Sequence, residues 1–188
     1  MKIVVATCNK GKLKEIKEIF SEYEIISNKE AGFNIDIDED AETFEGNALK
    51  KATAIAEVSG EICLGDDSGI MIDCFGGWPG VKTARWMDGT DREKNIEIIK
   101  KMKGVPRKQR TIHWVTAIAI VDKKGHSYVG KHSVNGIVAS EPRGDNGFGF
   151  DEIFELPNGK TLAELSIEEK NEIGARKKAL EKVRDMIS

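Results

Sequence analysis

The sequence has no surplus of basic charge. Its 29 lysines and arginines stand against 32 acids, for a formal net charge of −3, so no global positive field argues for binding DNA or RNA. It has no apolar run of membrane-spanning length, and the opening MKIVVA lacks the h-region of a signal peptide. Cysteine is scarce: Cys8, Cys63 and Cys74 are an odd number without CxxC spacing. That argues against a disulfide frame or a zinc site, and for reduced thiols in a cytoplasmic setting. His126 and His132 have no third ligand at metal spacing and read as surface or ribbon residues. Linkers, internal repeats and low-complexity tracts are absent as well. What remains is an ordinary globular composition, 39% hydrophobic and 32% charged. Residues 1–188 are enough for one domain with a sizeable core, or for two small lobes sharing one cleft.

The periodicities predict a mixed α/β protein. KIVVA (2–6) reads as a strand, TCNKGK as a loop, and Leu13, Ile16, Ile19 and Phe20 recur at helical spacing. Residues 23–27 read as a second strand. The acidic DIDEDAE (36–42) is loop-like and leads into a helix from about Thr43 to Val58, with Thr43 as its cap. EICLG is a further strand that delivers Asp66 and Asp67 to its C-terminal end. A glycine-rich loop (75–86) follows, then a helix over 91–103 with Asp91 as cap and Ile96, Ile99 and Met102 on one face. Two long strands joined by KKG come next, then the loop PRGDNGFGFDEIF. A C-terminal helix opens on the capping box Ser166–Glu169 and runs to about Met186.

Three segments carry candidate chemistry. In TCNKGK, the backbone N–H groups at a helix start, the side chains of Thr7 and Asn9, and Lys10 and Lys12 suit phosphate oxygens. The same residues also suit a glycine-bearing turn with solvated lysines. In DDSG (66–69), adjacent carboxylates after an apolar strand repel each other, which calls for a divalent cation. Mg2+ binds through one or two carboxylates plus substrate phosphates, and Glu39 is a candidate further ligand. A turn in which Asp66 or Asp67 caps local backbone is the alternative. In GFGFD (147–151), Phe148 or Phe150 suits stacking on a flat base, and equally suits plugging a core from a glycine-bent loop.

Taken in order, ATCNKGKLKEI, TFEGNALKKA (43–52), DDSG, GGWPGVKTARW (76–86), GFGFDEIF (147–154), KTLAEL (160–165) and EEK…R (168–176) resemble the inosine triphosphate pyrophosphatase family. The matches span nearly the whole chain. The resemblance implies an elongated mixed sheet with helices, two lobes around a central nucleotide cleft, and a homodimer. It also implies a Mg2+-dependent hydrolysis of noncanonical purine nucleoside triphosphates (ITP, dITP, XTP) to monophosphate and pyrophosphate, with neither nucleic acid nor membrane as partner. On this resemblance Thr7, Cys8, Asn9, Lys10, Gly11 and Lys12 bind phosphates, assisted by Lys51. Asp67 is proton acceptor and metal ligand, Asp66 its catalytic partner, Glu39 the second metal carboxylate, and Ser68 a substrate contact. Phe148, Gly149, Phe150 and Asp151 hold the base, which Lys170, Ala175 and Arg176 reach from the C-terminal helix.

The chain departs from that family at two places. Cys8 stands where the family usually has Gly, and Gly174-Ala175-Arg176 stands where it usually has Ser-His-Arg. The absent histidine bears on recognition of the purine 6-oxo edge, so base preference is the property most exposed to change. A pyrophosphatase for another modified nucleotide and a non-catalytic nucleotide-binding module are the alternatives.

Overall fold

The computed structural model describes residues 1–187. Among these, seven strands form one sheet of order β2-β1-β3-β5-β6-β7, with β4 pairing β3 at the side. The strands are β1 (Lys2–Ala6), β2 (Glu24–Ser27), β3 (Ile62–Ile72), β4 (Trp78–Pro79), β5 (Thr111–Val121), β6 (Ser127–Val138) and β7 (Phe154–Glu155). The α-helices are α1 (Lys10–Ile19), α2 (Phe44–Ser59), α3 (Asp91–Lys101), α4 (Ile167–Ile173) and α5 (Ala175–Arg184). The chain divides into two compact units. The first holds Met1–Ser68, Thr116–His132 and the chain from Ala175 onward; the second holds Gly69–Val115 and Ser133–Gly174.

In the first unit β1 lies parallel to both β2 and β3, with Ile3 opposite Ile62 and Ala6 opposite Gly65. Strand alternation sorts the side chains onto two faces. Ile3, Val5 and Leu64 pack with Ile16 of α1, the Phe20 that caps its C-terminus, and Leu180 and Val183 of α5. Val4, Ala6 and Cys63 pack instead with Ile55 of α2. Each fully buried aliphatic side chain of this kind stabilises by roughly 1.5–3 kcal/mol, and this two-sided burial fixes the register of β3. Gly65 is required by packing: a Cβ there would sit 2.0 Å from the Ala48 carbonyl oxygen, so α2 crosses β3 at backbone contact.

The second unit contains the far half of β3 paired antiparallel with β4, and β7 paired antiparallel with β6. Trp78 packs edge-to-face on Phe75 and Trp86, and the Lys101 ammonium lies 5.5 Å from the Trp78 ring centre. His113 bridges two segments, its Nδ1 2.8 Å from Asn135 Oδ1 and its Nε2 2.8 Å from Asp73 Oδ1.

Three expectations are corrected. Strand β3 does not end at the aspartates but runs through them to Ile72; only its parallel pairing with β1 stops, at Gly65. Helix α3 is capped by Thr90, in a capping box with Glu93, and not by Asp91. Its buried residues are Asn95 and Ile98, followed by the capping Met102, while Ile96 is exposed. The C-terminal helix opens at the Ser166 capping box as expected but breaks at Gly174, whose ψ of 143° ends α4 before α5 begins. A Cβ at Gly174 would lie 2.8 Å from the Lys170 carbonyl oxygen and 3.2 Å from the Trp114 ring, so the close approach tolerates only hydrogen.

Candidate functional site

Asp66 and Asp67 are consecutive residues of a strand, so their side chains leave opposite faces. Asp66 projects with Leu64 toward α1 and α5. Its carboxylate accepts from Lys12 Nζ at 2.6 Å, Arg176 Nε at 2.7 Å and the Ser68 hydroxyl at 2.8 Å. Arg176 also pairs with Glu15 of α1 and donates to Ser68 at 3.1 Å. Asp66, Glu15 and Arg176 are all nearly inaccessible to solvent. Burial works against the charge of Asp66, but Arg176 and Lys12 outweigh it and hold the carboxyl far below the usual carboxylate range. Burial likewise opposes the charge on Arg176, yet the charges and hydrogen bonds of Asp66 and Glu15 outweigh it and hold the guanidinium protonated. Burial lowers the pKa of Lys12, against the pull of Asp66.

Asp67 projects toward α2. Its carboxylate accepts from Lys51 Nζ at 3.1 Å and from Asn47 Nδ2 at 3.3 Å. Lys51 reaches Glu39 at the same distance of 3.1 Å, so one buried ammonium ties both carboxylates. Asn47 accepts from the Ala41 amide and so anchors the acidic loop to α2. Burial pushes the Asp67 carboxyl up; Lys51 and Lys12 pull against that, and Glu39 adds to it. Glu39, half-buried, resists ionisation by burial but is held below its usual value by Lys51. Across both faces, the cations Lys12, Lys51 and Arg176 stand against the anions Glu15, Glu39, Asp66 and Asp67. The side with the unbalanced negative charge presents hard oxygen donors, which suits a magnesium ion held by Asp67 and Glu39 together with phosphate oxygens.

The loop between β1 and α1 is organised locally. Asn9 caps α1 by accepting from the Lys12 amide at 3.0 Å, and the Thr7 hydroxyl accepts from the Asn9 amide at 3.1 Å. Cys8, Asn9 and Lys10 are exposed, while Thr7, Gly11 and Lys12 are partly buried.

The second unit assembles the glycine loop. The Asp151 carboxylate accepts from the Phe148 amide at 2.8 Å and from Lys170 Nζ at 2.6 Å. Both charged residues are buried, and Lys170 lies 4.5 Å from the Phe148 ring centre and 5.4 Å from that of Trp114. Phe150 packs on Trp114 and Phe154, as a core aromatic would. Gly149 has φ +66°, a left-handed conformation suited to glycine. Its amide donates to Asp91 at 2.8 Å and its carbonyl accepts from Asn95 at 2.9 Å.

The structure thus gathers Lys12, Glu39, Lys51, Asp66, Asp67, Ser68 and Arg176 in the first unit, and Phe148, Gly149, Phe150, Asp151 and Lys170 in the second. Arg176 pairs with Asp66 and Glu15 within the first unit, and Ala175 is fully buried at the start of α5. Asp66 is already enclosed by cations, which favours holding them over exchanging a proton. Glu15, Asn47 and Asn95 escaped the sequence reading, and Asp91 was read only as a helix cap. Glu15 and Asn47 carried a usable signal: each lies on the apolar stripe of its helix, where a polar side chain needs a buried partner.

A family model described as the Ham1 family matches residues 3–186. The chain is 39% identical to the dITP/XTP pyrophosphatase of Desulforamulus reducens, across 100% of this chain and 96% of that one. It is 40% identical to the dITP/XTP pyrophosphatase of Bacillus subtilis, across 98% and 96%. Among solved structures, the Staphylococcus aureus Ham1 protein superposes with a TM-score of 0.87 at 32% identity, over 99% of this chain and 97% of that one. A HAM1 protein from Coxiella burnetii matches with the same TM-score at 33% identity, over 99% and 98%. The chain belongs to the Ham1 family.

Proposed function

We propose that this member of the Ham1 family hydrolyses noncanonical purine nucleoside triphosphates, ITP, dITP and XTP, to the monophosphate and pyrophosphate. The relatives named above support that substrate class. The observation that carries the reading is the arrangement around Asp67, a buried carboxylate whose affinity for protons is raised and which is aligned by Lys51 and Asn47 beside Glu39.

In this reading Asp67 accepts a proton from the attacking water, a task favoured by a carboxyl that burial has made more basic. Lys51 and Lys12 place positive charge where the departing pyrophosphate gathers negative charge, and the positive end of the α1 dipole, behind the loop from Thr7 to Lys12, adds to it. Asp66 and Glu15 keep Arg176 and Lys12 in position. A magnesium ion held by Asp67 and Glu39 would supply Lewis-acid neutralisation of the polyphosphate. In the second unit Phe148 and Lys170 form the base platform, with Asp151 fixing both.

A cytoplasmic setting is consistent with free Cys8, Cys63 and Cys74, and among the described residues no helix is long and apolar enough to cross a membrane. A homodimer is the proposed assembly, to be checked by light scattering. The deciding experiment is pyrophosphate release from a nucleotide panel with Mg2+ and with a chelator, the products being resolved by chromatography. ITP and XTP are expected to yield IMP and XMP. Accumulation of IDP, activity unaffected by chelation, or binding without turnover would each overturn the corresponding part of the proposal.

A further inference from the structure

Helix α3 carries none of the residues assigned above, yet one face of it grips the loop that presents Phe148. Asp91 and Asn95 are one helical turn apart and so lie on the same side of α3. Asp91 Oδ2 accepts the Gly149 amide at 2.8 Å, and Asn95 Nδ2 donates to the Gly149 carbonyl at 2.9 Å. Two side chains therefore hold the amide and the carbonyl of a single residue. Arg92, next to Asp91, pairs with Glu152 further along the same loop at 3.2 Å. Asn95 is only 2% exposed, and a buried carboxamide without its partner is costly. A Cβ built at Gly149 would meet nothing within 4 Å, so no side chain crowds this position from that direction. Both main-chain polar groups of Gly149 are taken up by α3.

We propose that Asp91 and Asn95 are positioning residues for base recognition, clamping the Gly149 peptide so that the neighbouring Phe148 ring is held in place before nucleotide arrives. The inference rests on the proposed nucleotide reading. Phe148 is fixed from one side by its own amide on Asp151 and from the other by the clamp on Gly149. A loop carrying Gly147, Phe148, Gly149 and Phe150 in succession would otherwise lose conformational freedom on each binding event. The clamp moves that cost into folding.

The test compares Asp91→Ala, Asp91→Asn and Asn95→Ala with the wild-type protein. Asp91 is exposed and Thr90 supplies the helix cap, so Asp91→Ala should fold. Asp91→Asn loses the same negative charge at the helix start but keeps an acceptor oxygen, which separates the clamp from a helix-dipole effect. Expected for Asp91→Ala are faster hydrogen exchange at the amides of 148–150, a KM for ITP raised roughly tenfold, and little change in kcat. The ITP-to-ATP ratio of kcat/KM should narrow as well. Asp91→Asn should restore most of each. Folded Asp91→Ala and Asn95→Ala proteins with wild-type exchange, KM and base preference would overturn the inference while leaving the activity standing. Faster exchange without any kinetic change would overturn it too, reducing the clamp to a structural tie. A wild-type protein that cleaves none of the panel nucleotides defeats the functional reading, and the clamp's role in base recognition with it.

Discussion

Asp66 and Asp67 are adjacent in the chain and face opposite ways. Asp66 meets Lys12 and Arg176 from α1 and α5, and Asp67 meets Lys51 and Asn47 from α2. The repulsion expected of neighbouring carboxylates is relieved by the geometry of a strand and by separate cations, before any metal is considered. Two acids of one type thereby acquire opposite proton affinities, Asp66 lowered and Asp67 raised.

Asp67→Asn should leave the fold intact, because the amide still accepts from Lys51 and is close to isosteric. Turnover should fall by roughly 10²- to 10⁴-fold, since an amide does not accept a proton at neutral pH. Steady-state pyrophosphate release alongside circular dichroism checks both halves. A variant with near-native turnover would remove Asp67 from the proton-accepting role.

Arg176→Met should act on stability first. It removes the guanidinium that pairs with both Glu15 and Asp66, and breaking a buried pair of this kind costs about 3–5 kcal/mol. Urea unfolding measures it. A loss below about 1 kcal/mol would mean that the Glu15–Arg176–Asp66 cluster is not held as described.

Gly174→Ser tests the break between α4 and α5. Its Cβ would press on the Lys170 carbonyl and the Trp114 ring, and overpacking of this type costs about 1–3 kcal/mol. Thermal unfolding and Trp114 fluorescence should both report the strain.

His113 carries a pH signature. Burial alone would lower its pKa, but hydrogen bonds to Asn135 and Asp73 prevail and raise it above 6.5. A raised histidine contributes its stabilisation in full below its unfolded value, and loses it as pH climbs through the higher folded value. The linkage is on the order of a few tenths of a kcal/mol because Asp73 is largely solvated. Unfolding curves between pH 6 and 8 should show that slope, and His113→Gln should flatten it.

The sequence made the locally encoded parts legible. Strand β1, the Thr43 cap and the Ser166 box depend on side chains within a few residues, and all three stand where expected. What escaped was set by distant partners. Asp66 and Asp67 looked like a strand's end because polar pairs usually terminate apolar runs, and only Lys12, Arg176 and Lys51 from three helices make their burial tolerable. Gly174 sat inside an unbroken helical pattern, and the obstacle there is Trp114, sixty residues earlier. Asn95 gave no signal because its partner, the Gly149 carbonyl, belongs to a loop whose path nothing local dictates. Within the candidate site, the residue types were visible but not their pairings: nothing local shows that Arg176 meets Asp66, 110 residues earlier in the chain.

The contact between Gly65 and Ala48 has a consequence for ligand capture. Lys51 lies one turn beyond Ala48 on α2, and Asp67 two residues beyond Gly65 on β3, so the backbone fixes the gap across which ammonium and carboxylate face each other. Any larger residue at 65 would wedge helix from strand and widen that gap whatever rotamers Lys51 chose. Under the proposed function, the charge spacing offered to an incoming polyphosphate is therefore preorganised during folding, and complex formation forfeits correspondingly little side-chain entropy.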